Sequence, residues 1–119
     1  MAVKIKTKYG LIDIDNNVIA TVVGGAATDN FGVVGMASKN QIRDNVNDIL
    51  KKDNYSRGVV ITQDDNGISV EVNIIVSFGT KISEVCKNVQ SKVKYNLETM
   101  LGISANAVNI IVQGVRVLD

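Results

Sequence analysis

The stretch Ile68-Ser-Val-Glu-Val-Asn-Ile-Ile-Val-Ser-Phe78 opens a segment, running to Val117, whose reading decides the fold. Ile68, Val70, Val72, Ile74, Val76 and Phe78 alternate with Ser69, Glu71, Asn73, Ile75 and Ser77. That period of two predicts a strand with one buried face and one largely polar face. Gly79-Thr80 breaks the alternation, and the spacing changes at once. Ile82, Val85, Cys86, Val89, Val93, Leu97, Met100 and Leu101 recur every three or four residues, the stripe of a long helix. Gly102 then stands where a left-handed C-terminal cap is expected. Val108, Ile110 and Val112 resume the strand period, and Gly114 predicts a kink or bulge before Val115 and Val117.

Upstream of this unit, Gly58-Val-Val-Ile-Thr-Gln is separated from it by Asp64-Asp-Asn-Gly67, the turn signal of a hairpin. Asn40–Lys52 has the stripe Ile42, Val46, Ile49 and Leu50 and predicts a helix ending near Asp53-Asn54. Phe31–Ala37 reads as a short glycine-relieved strand. Lys4, Lys6 and Lys8 alternate with Val3, Ile5 and Thr7, either an edge strand guarded by lysines or a frayed arm. Gly10-Leu-Ile-Asp-Ile is a short strand leading to a helix that starts at Asp15 or Asn16, both good N-caps.

That helix, Asn16–Thr28, carries no charge. Val18, Val22 and Ala26 share one side; Ala20, Gly24 and Ala27 form a second, very smooth one. Such a helix is expected to be buried all round, either under its own sheet or against a second copy. Assembled, the order is β-α-β-α-β-β-α-β. Fold class: α/β, a two-layer sandwich whose mixed sheet of about four strands is covered by helices mainly on one face. Val60, Ile75 and Ile111 interrupt the polar side and form a candidate self-association patch if they cluster.

The 119 residues read as one domain spanning 1–119. Net charge is +1, which argues for neither nucleic acid nor an anionic membrane. There is no histidine, and Cys86 is the only cysteine, so an intrachain disulfide and a cysteine or histidine metal cage are excluded. Cys86 lies on the apolar stripe and reads as a small buried hydrophobe. Asp64-Asp-Asn-Gly67 lacks the spacing and terminal glutamate of a calcium loop, and the glycines lack a phosphate-binding pattern. The carboxylates fall at caps, turns and solvated faces. No catalytic, cofactor or metal residues emerge. An RNA-binding sheet would show paired aromatics on its strands, and here it has only Phe78. On the long helix, Tyr95 falls opposite the stripe beside Glu84, Asn88 and Ser91, the composition of an interface anchor.

The sequence also resembles a known family. Gly10-Leu-Ile-Asp-Ile, the small-residue helix ending in Ala26-Ala27, Gly32-Val-Val-Gly35-Met36, Gly58-Val59 and Val70–Val76 with Phe78-Gly79 occur in this order in the alkaline shock proteins. The likeness continues through Ile82-Ser-Glu-Val85, Val89-Gln90, Gly102 and Val108-Asn-Ile-Ile-Val-Gln-Gly114-Val115. These are the Gls-type envelope stress response proteins of Gram-positive bacteria, and this chain looks like their short branch without a charged tail. The resemblance implies a non-enzymatic, cytoplasmic adaptor or structural protein of cell-envelope homeostasis. Such a protein is expected to form homo-oligomers and to reach the membrane only through a partner such as a membrane-anchor protein. The alternative is a small regulatory subunit of a fatty-acid-kinase-like or other lipid-metabolism enzyme; an RNA-binding module ranks third.

Overall fold

The computed structural model describes residues 2–39, 52–65 and 67–117. The alternating stretch forms the strand on which the rest is hung, and three elements preceding it pack with it. In chain order the elements are β1 (Ala2–Thr7), β2 (Gly10–Asp15), α1 (Asn16–Thr28) and β3 (Val33–Met36). A 3-10 helix (Lys52–Arg57), β4 (Val59–Asp64), β5 (Gly67–Ser77), α2 (Ile82–Leu101) and β6 (Ala105–Arg116) follow.

β6 runs parallel to β5 along its whole length, from Ile68 opposite Ala105 to Ser77 opposite Arg116. A strand has only two edges, so β5 must divide the other one between two partners. β4 pairs antiparallel with Gly67–Val72 and β3 antiparallel with Ile74–Val76. The result is a mixed four-stranded sheet, as the alternation implied. α2 is the crossover that a parallel β5–β6 pair requires. Val70, Val72, Ile74 and Val76 are fully buried on one face, against Val85, Val89, Val93 and Leu97 of α2 and Ile19, Val23, Ala26 and Ala27 of α1. Both helices therefore lie on the same side of the sheet.

The predicted ends hold. Asp15 caps α1, its Oδ2 accepting from the Asn17 N–H at 2.9 Å. Gly102 is left-handed at φ +67°, and the Gly102 and Ile103 N–H groups return to Glu98 and Leu97 carbonyls. The stripe of α2 is shorter than its spacing suggested: Ile82 and Met100, at its two ends, are exposed. β4 and β5 close with Asp64 opposite Gly67. The helix expected over 40–52 lies, apart from Lys52, outside the described residues, and Lys52–Arg57 forms a 3-10 helix across the expected helix end at Asp53-Asn54.

The structure departs from the pattern in three places. First, the strand at Gly10 does not join the main sheet. It pairs with the lysine-bearing segment before it, as a separate two-stranded hairpin in register from Ala2–Asp15 to Thr7–Gly10. Val3 at its base reaches the core with 1% exposure, while Tyr9, Leu11 and Ile12 towards its tip stay in solvent. Second, α1 is not buried all round. Ile19, Ala20, Val23, Gly24, Ala26 and Ala27 are buried, but Val18, Thr21 and Gly25 face water. Third, Asn73 does not sit on a solvated face.

Asn73 is 1% exposed and lies at the point where β5 exchanges one partner strand for the other. Its N–H donates to the Gly58 carbonyl ahead of β4 (3.0 Å), and its carbonyl accepts from Ala37 just after β3 (3.1 Å). Its side-chain Nδ2 donates to the same Gly58 oxygen at 3.0 Å, and its Oδ1 accepts from Gln113 Nε2 at 2.8 Å. Gln113 is free to do this because β6 bulges there: Ile74 faces Val112, Ile75 faces Gly114, and Gln113 is the extra residue. The bulge predicted from Gly114 thus supplies a partner to a buried amide. Replacing Asn73 by Ala should lower the unfolding free energy by about 2 kcal/mol, since the Gln113 amide and the Gly58 carbonyl then each lose a hydrogen bond in a largely buried site. Urea denaturation of Asn73→Ala, Gln113→Ala and the double variant checks this. The double variant should be less destabilised than the sum of the singles.

Candidate interaction surface

Both phenylalanines of the chain are followed by glycine, Phe31-Gly32 and Phe78-Gly79. Both glycines have positive φ, +92° and +95°, so each phenylalanine precedes a sharp reversal of the backbone. The Ser77 N–H donates to the Gly32 carbonyl (2.9 Å), and the Phe78 N–H to the Arg116 carbonyl (2.7 Å). The first bond ties the turn after α1 to the turn after β5, the second ties the turn after β5 to the end of β6, and both phenylalanines line one cleft. Phe31 is 89% exposed and Phe78 72%. Single exposed apolar residues are ordinary, but both phenylalanines of a chain exposed on the lining of one cleft are not.

Between them lies an open cleft of about 530 Å³, lined by Phe31, Ser77–Lys81, Glu84, Val85 and Asn88. Val85 forms its floor, and Gly32 allows the approach: a Cβ on Gly32 would come within 2.7 Å of Val85 Cγ2. Thr80 fixes the rim, its Oγ1 donating to the Ser77 carbonyl at 2.8 Å. α2 begins at the cleft with Lys81 as N-cap residue and no side-chain cap. Glu84 pairs with Lys87 at 3.9 Å, a solvent-exposed i,i+3 contact worth little to stability. The lining is thus two rings, an aliphatic floor and a few polar groups of both charges. This is the composition of a protein-binding surface.

The helix face singled out from the sequence starts in this cleft. Glu84 and Asn88 line it, and Ser91 and Tyr95 continue the same side of α2, all exposed, with Tyr95 at 62%. At 1.5 Å per residue the face runs about 16 Å beyond Glu84. The other candidates are placed differently. Ala20, Gly24 and Ala27 are all buried, and Tyr55 of the 3-10 helix lies on Gly24. A Cβ there would meet the ring carbons. Tyr55, 7% exposed, is what the smooth side of α1 receives, and that side has no surface left for a second copy. On the outer sheet face Ile75 is 2% exposed and Val60 half-buried, while Ile111 is 38% exposed, so the three make no continuous apolar patch.

Among the described residues no cluster of three histidine, cysteine or acidic side chains is placed to hold a metal ion. Cys86 is half-buried on α2, and burial pushes its thiol up, away from the reactive thiolate. No described helix is long and apolar enough to cross a membrane.

A family model described as cell envelope-related, that of alkaline shock protein 23, matches residues 4–117. The chain is similar to two proteins described as uncharacterised: YloU of Bacillus subtilis strain 168 and Spy1614 of Streptococcus pyogenes serotype M6. It is 57% identical to YloU over 119 residues, covering all of this chain and 99% of the relative. It is 57% identical to Spy1614 over 118 residues, covering 99% and 98%. A more distant Bacillus subtilis relative, YqhY, also described as uncharacterised, is 31% identical over 110 residues, 92% of this chain and 80% of its own. No solved structure matches the chain significantly.

If the exposed side chains serve contact rather than packing, Phe78→Ser and Tyr95→Ala should shift the unfolding free energy by less than about 0.5 kcal/mol. Leu97→Ala, in the buried stripe of the same helix, should cost about 2–5 kcal/mol. Thermal or urea unfolding followed by circular dichroism reads all three.

Proposed function

The chain belongs to the alkaline shock protein 23 family, whose function is cell envelope-related, and on that premise we propose that it is a non-enzymatic, self-associating cytoplasmic adaptor of cell-envelope homeostasis. Its partner-binding site is the Phe31–Phe78 cleft with the Glu84–Tyr95 side of α2 running from it. The observation that carries the reading is the pair of solvent-exposed phenylalanine rings held over one cleft by the Ser77–Gly32 and Phe78–Arg116 backbone bonds. Folding gains nothing from leaving both rings in water, whereas a partner that covers them does. Aromatic anchors surrounded by polar groups are where binding energy concentrates in protein interfaces. The partner is a protein that inserts an apolar side chain between the two rings. A membrane-anchor protein or a lipid-metabolism enzyme of the fatty-acid-kinase kind both fit that description.

The test is complementation. A deletion strain of the host should become more sensitive to cell-wall-active antibiotics, and the wild-type gene should restore tolerance. The Phe31→Ser/Phe78→Ser allele, expressed to the same level, should leave the strain as sensitive as the deletion. Full complementation by that allele would remove the cleft from the function. Purification of the wild-type protein from the same cells separates the two partner classes, since a regulatory subunit brings down one stoichiometric enzyme that the double variant loses.

A further inference from the structure

The hairpin offers a second surface, on the opposite end of α1 from the cleft. β1 and β2 pair only with each other, so among the described residues each has one edge without a partner strand. The two-residue turn Lys8-Tyr9 makes Thr7–Gly10 a hydrogen-bonded pair, and bonded pairs alternate along an antiparallel ladder. Ile5–Ile12 and Val3–Ile14 are therefore bonded within the hairpin. Lys4 and Lys6 on β1, and Leu11 and Asp13 on β2, turn their backbone N–H and C=O groups outward.

The two edges are not equivalent. Two copies of β1 meeting antiparallel would set Lys4 opposite Lys6 twice over, like charges directly across a ladder. Outward-edge lysines are how natural sheets prevent such pairing. β2 has no such guard. Antiparallel pairing of β2 with a second β2, on a two-fold axis at Ile12, sets Leu11 opposite Asp13 of the other copy and satisfies all the outward groups of both residues. Ile12 of each copy then meets its twin in a non-bonded pair, where side chains lie closest. On that face the row across four strands becomes Ile5, Ile12, Ile12 and Ile5, continuing the apolar side that Val3 and Ile14 already bury in the core. On the other face each Asp13 lies between its own Lys4 and, beyond Leu11, Lys6 of the other copy.

We propose that β2 is the edge through which two copies of this chain pair, joining two hairpins into a four-stranded sheet about a two-fold axis. This deepens the self-association part of the proposed function by naming its surface. It also explains the exposure gradient along the hairpin. An isolated two-stranded ribbon is marginal in water, and here Leu11 is 54% and Ile12 48% exposed while Val3 at the base is buried. The contact is isologous, so it closes at two copies.

Sedimentation of the full chain from low micromolar to submillimolar concentration tests it. The wild type should show a monomer–dimer equilibrium. Leu11→Pro removes an outward N–H without touching the hairpin's own ladder, and it does so on both sides of the axis. It should weaken the dimer roughly tenfold, the loss expected for two hydrogen bonds. Lys6→Pro removes the matching N–H on the β1 edge and should leave the dimer unchanged. Ile12→Lys, which puts two cations on the axis, should abolish it; circular dichroism establishes that each variant is folded. Amide exchange gives a readout free of substitution: Leu11 and Asp13 should gain protection as concentration rises, while Lys4 and Lys6 should not. A dimer that survives both Leu11→Pro and Ile12→Lys overturns the β2 assignment and leaves self-association standing. A wild type that remains monomeric throughout overturns both.

Discussion

The buried amide of Asn73 is the constraint from which the rest of the sheet follows. β5 has one continuous partner, β6, and two discontinuous ones, β3 and β4, on its other edge. Where one short strand ends and the next begins, the backbone of a buried strand is liable to be left without partners, at roughly 1–3 kcal/mol for each group. Asn73 occupies that gap. Its backbone reaches Ala37 on one side and Gly58 on the other, and its side chain doubles the bond to Gly58. Gln113 completes the set only because β6 carries an extra residue. With the gap closed, β3 is held at the far end of β5, and the turn that precedes it is fixed beside the turn that follows Ser77. The Phe31–Phe78 cleft is therefore a consequence of how β5 shares its edge.

Much of this was legible because it rests on period. Val70, Val72, Ile74 and Val76 announced the buried face, Val85 to Leu97 the covering helix, and Gly102 and Gly114 the cap and the bulge. What period cannot report is whether a polar residue in an alternating strand is solvated or networked. Asn73 reads like Ser69, because the Gln113 that satisfies it lies forty residues away. The smooth side of α1 announced a close approach but not its occupant. Tyr55 fills it from a six-residue 3-10 helix too short to leave a periodic signal. Gly24 and Gly25 each cost a helix about 1 kcal/mol against alanine. Only Gly24 has a contact that requires it; Gly25 faces open space. The candidate surface was half legible. Tyr95 and its neighbours came from helical phase, whereas the placing of Phe31 beside the Phe78 turn depends on a backbone bond between two turns distant in sequence. The repeated Phe-Gly was the signal that could have found them.

The chargelessness of α1 has a different explanation from the one its composition suggests. Its exposed side is not apolar so much as self-satisfied. Thr21 and Thr28 donate their hydroxyls back to the Asn17 and Gly24 carbonyls, both at 2.8 Å, and Asn30 caps the last turn through the Ala26 carbonyl. Side chains that bond their own helix present little polarity to water and demand no partner. An ionic tie lies just outside the helix proper, Asp29 to Lys92 of α2 at 3.7 Å, and both partners are partly solvated. Lack of charge along a helix is thus weaker evidence for an interface than an exposed aromatic pair.

α1 also fixes the relation between the two surfaces. The hairpin joins its first residue directly, since Asp15 is both the end of β2 and the helix N-cap. The cleft begins three residues beyond its last, at Phe31. Thirteen helical residues separate the two by about 20 Å, and the core that buries six of them holds the helix in place. A partner seated between the phenylalanines and a second copy paired along β2 would therefore occupy opposite ends of one helix. If the cleft binds a membrane-held protein, pairing through β2 presents two clefts from one particle. Two modest contacts then act together at the effective concentration set by that fixed spacing. An adaptor that is weak in each contact and bivalent in assembly would need neither a large interface nor a catalytic group.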